Sequence, residues 1–405
     1  MLRLAVLSSI LFLSTAVQAV TPSAQVRSVP PSGVVQSSKY RSEEVAFTNS
    51  AAHVTLAGTL TIPLGPGPFP AVVLLSDMGA QDRDGTARSY RPLLMLADYL
   101  SQQGIAVLRF DDRGVGKSEG DNAATTTAER VKDAQAAVAF LRARPDMVPT
   151  RIGLIGHGEG GNVGLVAASQ AEAPSFVITL AATGQLGREM LATQQATQHL
   201  AAATDTSQTL GKRRLLAAQE TKKQVEKMRA EGANSAQIET ALAQQQLREK
   251  IEAQKLLSKA LKRQQAMLEI IRQTADDGQA QAIVTNMLRQ DDSTLDPGQA
   301  RTAAIRMTTP WYRSYLNFDP QQGLAKVTCP VLLLHGTDDV EVALSNMAQL
   351  EKGLKANRHV TMQRLEEVNH GFQAPEATWP VFNSLPQPVF SPVALATIRD
   401  WIRQL

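Results

Sequence analysis

The stretch RIGLIGHGEGG, residues 151–161, decides the fold of this chain. Its first half is an apolar run of strand length, and its second half is a glycine-rich turn that leads into the helical pattern NVGLVAASQ, residues 162–170. On both sides of it, further apolar runs of strand length alternate with segments of helical period. Apolar strands that alternate with helices predict a parallel sheet with right-handed crossovers, which is an α/β architecture.

The strand-and-helix pattern covers two parts of the chain. We expect residues 40–185 and 311–405 to form the two parts of one α/β core, separated by an insertion over residues 186–310. Residues 40–63 carry short alternating runs, which are typical of antiparallel strands joined by tight turns. The other predicted strands are AVVLLS (71–76), IAVLRF (105–110), RIGLIG (151–156), FVITLAA (176–182), CPVLLLHG (329–336) and HVTMQRLE (359–366), and the predicted helices of the core include 93–103, 128–144 and 392–405.

The insertion has almost no strand pattern and is dense in Ala, Gln, Lys, Glu and Leu. Its apolar residues recur at rough spacings of three and four, which predicts helices with solvated charged faces. A coiled-coil surface for a partner protein is the alternative, although the spacing is not a strict heptad. The residues that set this spacing are Leu247, Ile251, Leu256, Leu257, Leu261 and Leu268.

Composition excludes several classes of protein. The 405 residues are 43% hydrophobic and carry a formal charge of +3, so the chain is neither disordered throughout nor basic enough to predict nucleic-acid binding. The single cysteine, Cys329, permits no internal disulfide and no cysteine-rich metal site. The six histidines form no close ligand pair. We predict no metal and no organic cofactor.

The first 19 residues are typical of an export signal. Arg3 supplies a positive charge, residues 4–17 are mostly apolar, and small residues precede Ala19 at the spacing of a cleavage site. The apolar run is short for a membrane span, and a buried N-terminal helix is the alternative interpretation. Residues 20–39, rich in Val, Pro and Ser, predict a flexible lead-in segment. We therefore expect an exported bacterial protein, periplasmic or extracellular, with no membrane span once the signal is removed.

The glycine-rich turn fits two templates. Gly156, Gly158 and Gly161 match the dinucleotide-binding pattern G-x-G-x-x-G, but the turn follows the third strand of the α/β part, and the next strand ends without an acidic residue for a ribose. The turn fits the nucleophile elbow G-x-S-x-G better, with Gly156 and Gly160 at its flanking positions. In that frame, Gly158 takes the place of the nucleophile and offers no side chain.

Two later motifs supply an acid and a base. Asp339 follows a predicted buried strand in HGTDDVEV, residues 335–342, and Asp338 is the neighbour that a register shift would put in its place. His370 lies in a loop after the last predicted strand. In α/β-hydrolase triads the nucleophile elbow comes first along the chain, the acid second and the histidine third, which is the order here. In open sheets of this kind, ligands bind beyond the carboxyl ends of the strands, where these motifs are predicted to lie.

These motifs resemble those of bacterial serine carboxylesterases and acyl hydrolases whose elbow reads GHSEGG. The resemblance implies an α/β-hydrolase fold with a mostly parallel sheet, antiparallel N-terminal strands, a helical cap insertion, and a small-molecule ester or acyl substrate. It places the family's acid on Asp339, its base on His370, and the two backbone N–H donors of the oxyanion hole on Met78 and Glu159. It covers about residues 45–185 and 311–375, and includes QDRDG (81–85), LADYL (96–100), GIAVLRFDDRGVGKSEGD (104–121), WYRSYLNFDP (311–320) and NHGF (369–372).

The chain departs from this family at two points. The family's serine falls on Gly158, and Asp77 and Met78 occupy an oxyanion loop that is small and rich in Gly and Ser in the family. A carboxylate beside a developing oxyanion opposes its stabilisation. The motif DDRGVGKS, residues 111–118, is intact, and we expect its Asp112 and Arg113 to hold the loop after their strand.

The missing serine leaves four explanations open. The protein is a pseudoenzyme with weak or absent acyl hydrolysis that still binds a ligand, in the manner of a periplasmic binding protein. Alternatively, another group substitutes, with Ser76, Glu159 and Asp338 as candidates, although the side chain of Glu159 should point elsewhere. A third explanation is that His370 activates a water above Gly158. The fourth is that Gly158 is an engineered or erroneous residue. If acyl hydrolysis is reduced because the serine is missing, Gly158→Ser is expected to gain activity.

Overall fold

The computed structural model describes residues 39–202, 209–382 and 385–405, and the side chains of residues 198–215 and 217 also lie outside the description. The predicted export signal, residues 1–19, and all of the predicted lead-in except Lys39 fall outside it as well. Among the helices that are described, none combines the length and the hydrophobicity that crossing a membrane requires.

An eight-stranded sheet forms the centre of the described chain, in the order β1-β2-β4-β3-β5-β6-β7-β8. The second strand is antiparallel to both of its neighbours, and all other neighbouring strands are parallel. This is the predicted mostly parallel sheet with antiparallel N-terminal strands, and the α/β-hydrolase fold is confirmed. The strands are β1 Tyr40–Asn49, β2 Val54–Pro63, β3 Phe69–Leu75, β4 Ala106–Phe110, β5 Met147–His157, β6 Val177–Leu180, β7 Val331–Gly336 and β8 Val360–Leu365. Two short strands, β9 Val381–Phe382 and β10 Leu385–Pro386, pair with each other elsewhere.

Helices cover both faces of the sheet, which explains why its central strands are apolar throughout rather than alternating. In β3, Val72 and Leu74 pack on one face, and Val73 and Leu75 pack on the other. The helices are α1 Pro92–Gln102, α2 Thr127–Arg142, α3 Glu159–Ala168, α4 Gly187–Ala202, α5 Thr209–Ala230, α6 Ser235–Gln273, α7 Asp277–Asp291, α8 Pro297–Met307, α9 Pro310–Leu316, α10 Ser345–Gly353 and α11 Pro392–Gln404.

Each face has its own hydrophobic core. Residues of α1 and α11, such as Leu96 and Ile398, belong to one buried cluster with Val72. Residues of α2 and α3, such as Val138 and Val163, belong to another. The helix α2 begins with a capping box in which Thr126 and Glu129 bond reciprocally to each other's backbone N–H, and this arrangement fixes where the helix starts.

Between β6 and β7 the described residues form the six helices α4 to α9 and no strand. The predicted insertion, residues 186–310, falls in this run, and the helical character extends beyond it through α9. The helices share a buried apolar cluster that includes Leu191, Ile271 and Tyr315, and Met78 of the core packs against it. Leu247, Ile251, Leu256 and Leu257 of α6 are exposed, and a partner surface there stays a prediction.

Candidate active site

The turn between β5 and α3 has the geometry of a nucleophile elbow. Gly158, at its apex, has φ +50° and ψ −117°, a conformation that glycine adopts readily and other residues adopt only under strain. A Cβ on Gly156 would overlap the backbone of Gly160, so the flanking glycines permit the close approach of strand and helix. The predicted elbow is therefore present, with no side chain at its apex.

The acid and the base lie side by side. His370 Nδ1 is 2.8 Å from Asp339 Oδ2, and Asp339 Oδ1 accepts hydrogen bonds from the backbone N–H groups of Glu341 and Val342 at 2.9 and 2.8 Å. Asp339 also lies 3.3 Å from Nε2 of His335.

Asp338 is exposed, and its carboxylate accepts a hydrogen bond from the Thr337 hydroxyl. The structure thus brings Asp339 to His370 and leaves Asp338 outside the site.

The carboxylate of Asp77 faces the other side of the imidazole. Its Oδ2 lies 3.1 Å from His370 Nε2. Its Oδ1 accepts hydrogen bonds from the backbone N–H groups of Met78, at 2.7 Å, and Glu159, at 2.9 Å. These are the two donors predicted for the oxyanion hole, so one oxygen of Asp77 lies at the position predicted for that hole.

The same carboxylate fills the space of the missing side chain. A Cβ on Gly158 would overlap Oδ1 and Cγ of Asp77 and would lie 2.7 Å from Oδ2. Asp77, His370 and Asp339 therefore form a continuous carboxylate–imidazole–carboxylate chain. The sequence placed Asp77 beside the predicted oxyanion hole, but Asp77 was not among the predicted substitutes for the serine. One signal was present: the elbow lacks a side chain, and a loop that is normally small carries a bulky residue.

The predicted substitutes bond elsewhere. Ser76 Oγ donates to Asp112 Oδ1 at 2.8 Å and lies 2.7 Å from a guanidinium nitrogen of Arg130. The Glu159 carboxylate accepts from the Thr127 hydroxyl at 2.6 Å and from Arg130 at 2.9 Å. Both side chains belong to a buried network behind the elbow, and the expectation that Glu159 points away from the site agrees with its contacts.

That network connects the elbow to the loop after β3 and to α9. Arg130 lies between the carboxylates of Glu159 and Asp112 and also donates to the backbone oxygen of Asp77 at 3.0 Å. Trp311 Nε1 donates to Glu159 Oε2 at 3.2 Å.

Asp112 accepts a hydrogen bond from the backbone N–H of Gln81 at 3.0 Å, so it holds the loop that carries Asp77. Arg113 bonds to both carboxylate oxygens of Asp133 at 2.8 Å.

The charges of the site stabilise one another. Burial alone would raise the pKa of Asp77, but the hydrogen bond from His370 and the charges of His157 and His370 outweigh it and hold this pKa well below its usual range. Burial likewise opposes ionisation of Asp339, yet its bonds to His335 and His370 lower its pKa. Burial would lower the pKa of His370, and the hydrogen bonds to Asp339 and Asp77 raise it well above its ordinary value. The resting site thus holds a protonated imidazole between two carboxylates.

This proton predicts a pH-dependent stability. The pKa of His370 is higher in the folded state than its unfolded value of about 6.5, so its stabilising contribution is complete below that pH and is lost as the pH rises through the folded pKa. We expect the melting temperature to decrease as the pH is raised from roughly 7 to 9, because the release of one proton lowers the free energy of unfolding by about 1.4 kcal/mol per pH unit. The decrease should be less steep in Asp77→Asn. Equal slopes in thermal melts of the two proteins would contradict this.

Asp77, His157 and His370 also present ligand atoms that lie within 4.8 Å of one another, a grouping that could hold a metal ion. In the structure, His157 Nε2 lies 2.8 Å from the backbone oxygen of His370, and the Asp77 and His370 side chains bond directly to each other. A cation would have to replace the proton that His370 shares with Asp77. The prediction that the protein uses no metal stays a prediction.

Comparisons with known proteins agree with a hydrolase scaffold. Residues 34–368 match the sequence profile of the X-Pro dipeptidyl-peptidase (S15) family. The esterase EstD of Thermotoga maritima is 35% identical over 123 residues, which are 30% of this chain and 29% of that enzyme. Rat acyl-coenzyme A thioesterase 1 is 31% identical over 111 residues, 27% of this chain and 23% of the thioesterase. The chain thus aligns with less than a third of the length of either curated relative.

Two solved structures share the fold at low sequence identity. An esterase from Pyrococcus furiosus superposes with a TM-score of 0.51 at 13% identity, over 90% of this chain and 91% of its own. A hypothetical protein from Pseudomonas aeruginosa has a TM-score of 0.50 at 17% identity, over 91% of this chain and 95% of its own. At such identities the likeness concerns the arrangement of the chain and not the chemistry of the site.

Proposed function

The chain belongs to the X-Pro dipeptidyl-peptidase (S15) family, and within that family we propose that it is a protein of the esterase-like hydrolase type in which acyl hydrolysis is weak or absent. The observation that carries the proposal is the position of the Asp77 carboxylate, which occupies both the oxyanion hole and the space above Gly158. Asp339 and His370 are retained as an acid and a histidine with no serine to activate.

Acyl hydrolysis needs a nucleophile, free oxyanion donors and a base that can accept a proton, and this site lacks all three. Gly158 offers no attacking atom, and loss of the nucleophile from such a triad costs on the order of 10⁶ in turnover. Each oxyanion donor is worth roughly 10²–10³ in rate, and both donors are bonded to Asp77. His370 is protonated between two carboxylates and accepts no further proton. An ester carbonyl would therefore have to displace a charged side chain to enter the hole.

The ligand class and the location of the protein are part of the same proposal. The family profile is named for X-Pro dipeptidyl-peptidases, and the curated relatives are named as an esterase and a thioesterase. Each of these names refers to cleavage of an acyl bond, in a peptide, an ester or a thioester, which supports a small ester or acyl ligand for this chain. We also propose that residues 1–19 are an export signal, that the protein is periplasmic or extracellular, and that it has no nucleic-acid partner.

An esterase assay tests the proposal. With p-nitrophenyl acetate and p-nitrophenyl butyrate, we expect the purified protein to release nitrophenolate at a rate near that of buffer, because the site has no serine to acylate. His370→Ala should change this rate little. His359→Ala, at an exposed histidine of the sheet edge, is the matched control. Ordinary esterase turnover that His370→Ala abolishes and His359→Ala preserves would contradict the proposal.

A catalytically inactive ligand-binding protein is the second candidate function. A cavity of about 270 Å³ opens between α4, α6 and α9, where the guanidinium groups of Arg188 and Arg272 lie near Leu268 and Leu316. The carboxylates of Glu189 and Glu269 line it as well, and Glu269 is bonded to Arg272, so the charges of the lining are balanced and suit a small polar ligand with an apolar part. Stabilisation of the folded chain by a short-chain ester or acid, without release of product, distinguishes this function from turnover.

A further inference from the structure

We propose that Asp77 is itself a nucleophile, which attacks a saturated carbon that bears an anionic leaving group, and that water then hydrolyses the resulting alkyl ester. The substrate class is a small alkyl halide or a chemically equivalent alkyl electrophile. This inference rests on the proposed function, because it requires that Asp77, and not an acyl substrate, occupies the oxyanion hole.

The carboxylate is positioned for attack through one oxygen. Asp77 Oδ1 is fixed by the backbone N–H groups of Met78 and Glu159, whereas Oδ2 has the His370 imidazole as its hydrogen-bonding partner. The side chain is 14% exposed, so part of it faces solvent. Carboxylates act as covalent nucleophiles when their geometry is fixed and they are ionised. Here the two amides supply the fixed geometry, and the neighbouring imidazole keeps the carboxylate ionised.

The filled oxyanion hole favours displacement at a saturated carbon over acyl transfer. In acyl transfer, the negative charge of the first step develops on the substrate's carbonyl oxygen, which needs the donors that Asp77 already uses. In displacement at a saturated carbon, the charge develops on the leaving group instead. The hole is needed only in the second step, when water adds to Cγ of Asp77 and the charge develops on Oδ1. That oxygen is already bonded to both donors.

The bonds and protons of the two steps balance. A lone pair on Asp77 Oδ2 forms a bond to carbon, and the leaving group departs with the electron pair of its broken bond. Since the ester carries no charge, His370 loses a stabilising neighbour and releases its proton to solvent. It then removes a proton from water, whose oxygen adds to Cγ. The tetrahedral intermediate collapses by breaking the bond between Cγ and Oδ2, and the alcohol leaves with the proton from His370.

The cycle closes with the site in its resting state. The new carboxylic acid of Asp77 transfers its proton to His370, which restores the charged pair. The net reaction converts the alkyl halide and water into an alcohol, a proton and a halide ion. No oxidant, reductant or second substrate enters. Asp339 remains a carboxylate throughout and orients His370 through the 2.8 Å bond to Nδ1.

The wall beside Asp77 suits an alkyl group. The Met78 side chain packs against the buried cluster at the base of the insertion, which includes Leu268, Ile271 and Tyr315. An apolar substrate chain that extends from the Asp77 carboxylate toward Met78 would contact apolar side chains, which favours its burial there.

The experiment uses 1-bromobutane with the full-length protein and three variants. We expect the wild type to release bromide and butanol, and His370→Gln to accumulate a butyl ester on the peptide that contains Asp77, detected by mass spectrometry. Asp77→Asn should give neither product nor adduct. Asp338→Asn, at the exposed neighbour of the acid, is the matched control and should behave as the wild type. Thermal melts establish that each variant is folded.

Isotope labelling identifies the atom that water attacks. In a single turnover in oxygen-18 water, the label should enter the carboxylate of Asp77, because water adds to Cγ rather than to the alkyl carbon. Label in butanol alone, or no adduct and no bromide from folded protein, would overturn the inference and leave the proposed loss of acyl hydrolysis intact. Ordinary turnover of p-nitrophenyl butyrate would instead overturn the proposed function.

Discussion

The double replacement Asp77→Gly with Gly158→Ser is expected to create an esterase, whereas Gly158→Ser alone is expected to remain inactive. A Cβ on Gly158 would overlap the Asp77 carboxylate, so a serine at the elbow has no room while Asp77 is present. Asp77→Gly removes that carboxylate and frees the N–H groups of Met78 and Glu159 for an ester carbonyl. The single replacement is therefore not expected to have the effect that the sequence alone suggested.

The size of the gain follows from what the double variant recovers. The nucleophile of such a triad is worth on the order of 10⁶ in turnover. We expect at least about 10² of this to return, because the backbone of the elbow already has the required conformation and because Asp339 still orients His370. The measurement is the rate of p-nitrophenyl butyrate hydrolysis by the wild type, both single variants and the double variant.

Two further variants give this test its controls. Adding His370→Ala to the double variant should abolish the gained activity, since the serine then has no base. Asp77→Gly alone should not gain activity, because it opens the hole without supplying a nucleophile. Equal activity of Gly158→Ser and the double variant would show that Asp77 does not block the elbow.

Replacing Arg130 is expected to have the largest effect on stability. Its guanidinium lies between the buried carboxylates of Asp112 and Glu159 and donates to the backbone oxygen of Asp77. Arg130→Met keeps much of the side-chain volume but leaves two buried carboxylates without their cation. Removing one partner of a buried ion pair typically costs about 3–5 kcal/mol, and urea denaturation should show a loss of free energy of unfolding in this range.

Arg41→Met is the matched control for this replacement. Arg41 also faces two carboxylates, those of Glu43 and Asp146, but it is 46% exposed. Exposed pairs of this kind contribute about 0–1 kcal/mol, so the variant should unfold near the wild-type urea concentration. Adding Glu159→Gln to Arg130→Met should recover part of the loss by removing one unpaired charge. Similar losses in the two single variants would contradict the assignment of a buried network.

Much of the fold could be predicted because it depends on local patterns. Strands buried on both faces read as short apolar runs, as in residues 71–76 and 176–182, and the structure has β3 and β6 there. The elbow was predictable from three glycines at fixed spacing, and Asp339 and His370 were predictable from their order along the chain. Their hydrogen bond of 2.8 Å is consistent with that order.

The role of Asp77 could not be read in the same way because it depends on which strands are neighbours. In the sheet, β3 pairs in parallel with β5, and Leu75 lies opposite Gly156. Two residues beyond each of these positions stand Asp77 and Gly158, which is why they meet. The residues of each strand predict that strand but not which strand lies beside it, and Gly158 comes 81 positions after Asp77 in the chain.

The positive φ of Gly158 has a consequence for the tolerance of the whole chain to mutation. A residue with a side chain in this backbone conformation stores on the order of 1–3 kcal/mol of strain, which the surrounding structure must hold in place. Glycine adopts the conformation with little strain. That difference is comparable to the effect of one typical destabilising substitution. A protein with glycine at this apex therefore has more stability left to offset destabilising substitutions, so its other positions can vary further before the chain fails to fold.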